Sequence, residues 1–143
     1  MIKKTKPERH LVLNRIQTPD GTILTSYHVH DMETHVDKNG FNYMVDGGSN
    51  YHRCSVNKTA PHKNLCVYSD APYKVLRESI HRGGRGKDGT EPLKWVPISQ
   101  MSNSWLEACI VYNADREMDS SYSSTMYKKE LKYRRLKDII IAD

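Results

Sequence analysis

His28 and His30 lie two residues apart, and His35 and Asp37 repeat that spacing. On a strand, residues i and i+2 point to one face, so each pair presents two side chains together. Two imidazoles with a nearby carboxylate suit zinc, manganese or iron, and a metal-bound water would be a nucleophile at neutral pH. Asp31 and Asp46 fall near the ends of the same segments. His-x-His alone is a common pattern, so the expectation is a half-exposed histidine face that holds no metal. His28, His30, His35 and Asp37 are kept as the metal or acid/base groups of an alternative phosphodiesterase.

A second set lies in Arg82-Gly83-Gly84-Arg85-Gly86-Lys87-Asp88-Gly89. The stretch from Gly84 to Gly89 matches GxGxxG, but it follows an expected helix and opens none, so a dinucleotide fold fits it poorly. It is not a P-loop, because Asp88 and not Ser or Thr follows Lys87. Anion chemistry remains. Glycines allow backbone N–H groups to converge, and Arg82 and Arg85 can grip a phosphate through two bonds each. The expected ligand set is Arg82, Gly84, Arg85, Gly86 and Lys87. Arg53 and the His28/His30 face would add contacts, and Tyr51 or Trp95 would stack on a base. Asp37-Lys38-Asn39-Gly40 lacks the oxygen ligands of a calcium loop, and no Ser-His-Asp order with a nucleophile elbow is present.

The elements that must position these residues change period midway. Leu11 to Gln17 and Thr22 to His30 read as strands around Pro19-Asp20-Gly21, a turn built from a preset φ, a side-chain acceptor and a residue free to take positive φ. Glu33 to Asp37 and Asn42 to Asp46 flank Asn39-Gly40, a strong hairpin signal. Tyr51 to Val56 and Leu65 to Ser69 are further short strands. Asp70-Ala71-Pro72 starts a helix with Tyr73, Leu76 and Ile80 on one face, ended by Gly83-Gly84. Arg82 to Glu91 reads as a loop, and Leu93 to Ile98 as a strand with Pro97 at an edge or near its end. Ser102 or Ser104 caps the next helix, Ser104 with Glu107 forming a capping box. Trp105, Ala108, Cys109 and Tyr112 form its buried stripe. Ser120 to Ser124 is a linker or cap. A third helix from about Thr125 to Leu136 turns Tyr127 and Leu131 inward. Its other face carries Lys128, Lys129, Lys132, Arg134, Arg135 and Lys137 outward. Ile139 to Ile141 would close the sheet. The expected fold is α+β, a mostly antiparallel sheet of N-terminal hairpins with about three helices, in one domain over residues 1–143.

The 143 residues carry 22 Lys+Arg against 17 Asp+Glu, a net charge of +5. A pI near 9.1 favours anionic partners: a nucleotide, nucleic acid or an acidic protein. No run approaches the ~18 apolar residues of a membrane span. Met1 to Lys6 has the charge of a signal-peptide start, but Pro7-Glu8-Arg9-His10 follows where an apolar stretch belongs. Cys54, Cys66 and Cys109 include no CxxC pair and read as reduced thiols of a cytosolic protein.

The runs His28-Val29-His30-Asp31, Thr34-His35, Asp37-Lys38-Asn39-Gly40 and Tyr43-Met44-Val45-Asp46-Gly47-Gly48, then Arg82 to Gly89 and Trp95-Val96-Pro97-Ile98, together resemble small uncharacterised proteins of tailed bacteriophages. That resemblance implies a protein acting in the cytoplasm of the infected bacterial host. By analogy with other phage accessory proteins, it implies sequestration of a nucleotide immune signal, with no cofactor. Cleavage of such a nucleotide, or inhibition of a host protein through the basic third helix, are the alternatives. A small domain encloses a ligand better as an oligomer, so a homo-oligomer is expected.

Overall fold

The computed structural model describes residues 9–28, 31–48 and 61–143, together with the backbone of residues 53–54. The fold is α+β with antiparallel strand pairing. Two compact units divide the chain, Met1–Ser79 and Ile80–Asp143.

In the first unit, β1 (Leu11–Gln17) and β2 (Ile23–Ser26) pair with Ile16 opposite Leu24. Their turn follows the Pro19-Asp20-Gly21 chemistry. Thr18 N donates to Thr22 O at 2.9 Å, and Gly21 adopts φ +91°. Asp20 Oδ1 accepts from Thr22 N at 3.1 Å and from the Thr18 hydroxyl. β2 ends at Ser26, short of the expected His30, because Tyr27 N is taken by Asp31 Oδ2 (2.9 Å) and not by a strand.

β3 (Met32–Val36) and β4 (Asn42–Asp46) pair along their whole length. Asp37 fastens their loop: its Oδ1 accepts from Asn39 N at 2.9 Å and Phe41 N at 3.0 Å. Gly40 supplies the required positive φ of +80°. β5 (Arg53–Cys54) extends this sheet from β4, while β6 (Lys63–Asn64) and β7 (Val67–Tyr68) both pair with β1.

Ile16 and Leu24 from one sheet meet Tyr43 and Val45 from the other in the buried core. Each such side chain stabilises the fold by roughly 1.5–3 kcal/mol. The outer edge of β2 is closed by carboxylates. Thr25 N donates to Glu33 Oε2 at 2.8 Å, as Tyr27 N does to Asp31, which removes a template for stray pairing. α1 (Tyr73–Ser79) follows Pro72 and buries Leu76.

In the second unit, β8 (His81–Gly84) and β9 (Lys94–Pro97) form a hairpin, a 3₁₀ turn covers Ile98–Gln100, and α2 (Asn103–Asp115) and α3 (Tyr122–Lys137) follow. Pro97 is the last residue of its strand, where its missing N–H costs no ladder bond. Ser102, and not the Ser104–Glu107 box, caps α2 by accepting from Trp105 N at 3.1 Å. Ser121 caps α3.

Four expectations are corrected here. Gly83-Gly84 does not end a helix; it lies inside β8, so the loop begins only at Arg85. Ile139 to Ile141 is not a strand. Ile141 O instead accepts from Asn103 N at 2.9 Å, filling a free donor at the start of α2. The buried residues of α2 are Leu106, Cys109 and Asn113, while Ala108 is exposed, Tyr112 is 47% exposed and Trp105 is half-buried.

The fourth correction is Arg134, which is fully buried and not on the solvated face of α3. Its Nε donates to Glu130 Oε2 at 2.8 Å, its Nη1 to Asn103 Oδ1 at 2.8 Å, and its Nη2 to Ile98 O at 2.9 Å and Ser99 O at 3.3 Å. One guanidinium thus ties α3 to the 3₁₀ turn and to the start of α2. Leu131, expected inward, is half-buried.

Candidate functional site

The expected residues are divided between the two units. His30, Tyr51 and the side chain of Arg53 lie outside the described residues. His28 is exposed. His35 pairs with Asp20, not Asp37: its Nε2 lies 2.9 Å from Asp20 Oδ2. β3 brings the imidazole to the β1–β2 turn, and Asp37 is committed to its own loop.

The Thr18 hydroxyl and then His35 hold the Asp20 carboxyl well below the usual carboxylate range. Beside this pair, burial and the charges of Asp37 and Asp20 push the Tyr43 phenol up. An open groove of about 450 Å³ runs along Thr34, His35, Val36, Asn42, Tyr43 and Met44. The pair can orient an imidazole, but among the described residues no three His, Cys, Asp or Glu converge to hold a metal ion.

A pH dependence follows from Asp20. Its folded pKa is depressed, so its contribution to stability is complete above the unfolded value of about 3.9 and fades as pH falls toward the folded value. Asp20→Asn should melt below the wild type at pH 7, and the gap should narrow on acidification to about pH 3. Circular-dichroism melts at both pH values test this. A gap that widens in acid would contradict it.

In the second unit, the β8–β9 register places Arg82 opposite Val96 and Gly84 opposite Lys94, on one face, while Gly83 opposes Trp95 on the other. Arg82 and Trp95 therefore cannot hold one ligand from the same side. Arg85, Gly86 and Lys87 stay together in an exposed loop, but the expected cradle is obstructed. A side chain on Gly86 would run into the Glu91 carboxylate, so an acidic group already covers that glycine. Asp143, held low by Ser102 and Ser104, also feels the charge of Lys87.

The Arg82 face meets α2. A Cβ on Gly84 would lie 2.9 Å from Trp105 Cη2, so the indole rests on a strand backbone that has no side chain. Gly84→Val should lower stability by about 1–3 kcal/mol through overpacking and shift the tryptophan emission. An unchanged spectrum and melt would place the indole elsewhere.

Arg82 Nη1 reaches the Tyr127 hydroxyl at 3.3 Å, with its guanidinium 5.9 Å from the Tyr112 ring centre and 6.0 Å from that of Tyr127. Arg116 lies 3.4 Å over the same Tyr112 ring and donates to Tyr112 O at 3.2 Å. Trp105, Cys109, Tyr112 and Arg116 share one stripe of α2, and the helical rise separates Trp105 from Tyr112 by about 10 Å. Burial opposes the charge on Arg82, but the Tyr127 bond and the charge interactions with Tyr127, Cys109 and Tyr112 together outweigh it, so the guanidinium is held above its usual range. Burial pushes the Tyr127 phenol and the Cys109 thiol up, although Arg82 pulls on both.

Arg82 is half-buried, yet among the described residues no carboxylate pairs with it or with Arg116. Buried charge without a counter-charge is costly, and the guanidinium has five N–H donors, only one of which meets the Tyr127 hydroxyl. The arrangement is an aromatic shelf with two guanidiniums, and Lys94 exposed on the same hairpin face.

Sequence reasoning missed Trp105, Tyr112, Arg116 and Tyr127 as site residues. Trp105, Tyr112 and Tyr127 read as core because aromatic residues at helical spacing usually are. The available signal was Arg116 continuing their stripe. No protein-family model, curated protein or solved structure matches the chain. Among the described residues no helix is long and apolar enough to cross a membrane.

Proposed function

We propose that the protein binds a small phosphorylated ligand with an aromatic base, a nucleotide, on the α2 shelf. The carrying observation is Arg82, a half-buried guanidinium that contacts two phenol rings and no carboxylate. A phosphate would complete its donor set, and Arg116 and Lys94 would add charge. Trp105 or Tyr112 supplies a stacking surface of the kind bases use. Holding such a ligand needs no nucleophile. On the phage resemblance of the sequence motifs, such binding would act in the cytoplasm of an infected bacterium and withdraw a host nucleotide signal.

The His35–Asp20 pair at the first-unit groove favours a second reading, hydrolysis of the same ligand class with His35 as general base. Ligand recovery separates the two. The protein is incubated with nucleoside mono-, di- and triphosphates and cyclic dinucleotides, freed of unbound ligand and denatured, and the released material is analysed. Release of intact nucleotide is expected. Release of cleaved product would favour hydrolysis, and absence of uptake would remove the binding proposal.

A further inference from the structure

α3 presents Lys128, Lys129, Lys132, Arg135 and Lys137 to solvent. The helix contains one acidic residue, Glu130, and that carboxylate is buried against Arg134. Its outer face therefore carries cations alone. At 3.6 residues per turn, Lys128, Lys132 and Arg135 form one stripe about 10 Å long, with Lys129 beside it.

A solvated helix face ordinarily mixes signs at i,i+3 and i,i+4, where opposite charges support the helix and like charges weaken it. Here those spacings join Lys128 to Lys132 and Lys132 to Arg135. Lys128 meets Asp119 at 2.8 Å, an exposed pair from outside the helix that contributes little. Lys132 and Arg135 have no acidic partner among the described residues.

We propose that this face of α3 binds the sugar–phosphate backbone of double-stranded nucleic acid without sequence preference. Charge complementarity carries the choice of a polyanion, and composition carries the choice among polyanions. Four of the five cations are lysines, a residue depleted at protein–protein interfaces, where arginine and aromatic side chains dominate. Lysine ammonium groups do suit phosphates, where each contact releases condensed counterions. Leu136, 78% exposed within the stripe, is a single apolar side chain and not a patch. The surface is separate from the α2 shelf, since Tyr127, which carries the Arg82 bond, is on the buried side of α3.

The test is fluorescence anisotropy with a labelled duplex of about 20 base pairs, titrated across a salt series. If four or five phosphates are contacted, log K should fall against log salt with a slope of about −4. Lys132→Gln with Arg135→Gln should reduce the slope by about two and weaken low-salt binding by roughly tenfold or more. Melting should be unchanged, because both side chains are exposed. Arg82→Met should bind the duplex like the wild type. Absence of duplex binding at low salt, or an unchanged slope in the double variant, would overturn the proposal. Binding of poly-L-glutamate in preference to the duplex, lost in the double variant, would also overturn it and make the face a dock for an acidic protein.

Discussion

Arg134→Ala should destabilise the second unit by about 3–5 kcal/mol, the cost of leaving a buried charge without its partner. Removing the guanidinium takes its charged partner from the Glu130 carboxylate, which is fully buried, and one hydrogen bond each from Asn103 Oδ1 and the carbonyls of Ile98 and Ser99. A unit of this size has a total stability of the same order, so the variant should be largely unfolded over α2 and α3. Arg134→Lys should rescue little, since one ammonium cannot span acceptors spread across three elements. Arg134→Met with Glu130→Leu should recover much of the loss, because it removes both charges and keeps the volume. Urea unfolding monitored by circular dichroism measures all three. A loss below about 1 kcal/mol for Arg134→Ala would mean that water reaches the pair.

Arg82→Met should weaken nucleotide binding by about tenfold to a hundredfold, the equivalent of one or two charge-assisted hydrogen bonds. Its effect on stability should have the opposite sign or none. Methionine keeps the apolar stem against Tyr112 and Tyr127 and removes a half-buried charge that no carboxylate offsets. Loss of binding with retained or raised melting temperature is the signature of a group held for function. Arg82→Lys should recover only part of the affinity, because a point charge lacks the guanidinium fork. Calorimetric titration with the nucleotide recovered from wild-type protein tests this. Equal affinity in Arg82→Met would take Arg82 out of the site.

The parts of the fold legible in the sequence are those fixed by local chemistry. Pro19-Asp20-Gly21 and Asp37-Lys38-Asn39-Gly40 encode their turns within a few residues, and the β1–β2 and β3–β4 hairpins form around them. The illegible parts have distant causes. Gly83-Gly84 reads as a chain break, yet both glycines are strand residues with indoles close upon them: a Cβ on Gly83 would lie 3.1 Å from the Trp95 ring, and one on Gly84 2.9 Å from Trp105. Arg134 reads as one more cation of a basic helix, because its acceptors on Ile98, Ser99 and Asn103 lie far away in sequence. Ile139 to Ile141 has strand composition, but the α2 start offers it a different use.

Of the candidate site, single residues are legible in the sequence and their neighbours are not. The sequence groups Arg82 with Trp95 and the glycine loop, but strand alternation puts it on the face opposite Trp95, near Tyr112 of α2. The i, i+2 spacing groups His35 with Asp37, and hairpin geometry brings Asp20 to the imidazole instead.

The most direct measurement of the α2 shelf is a two-dimensional ¹H–¹⁵N spectrum recorded while the recovered nucleotide is added. The Nε–H signals of Arg82 and Arg116 and the indole N–H of Trp105 should shift together and saturate at one ligand per chain, while the indole of Trp95 moves little. Saturable shifts confined to His35 and its neighbours along the first-unit groove, with the Arg82, Arg116 and Trp105 signals unmoved, would contradict a nucleotide site on α2.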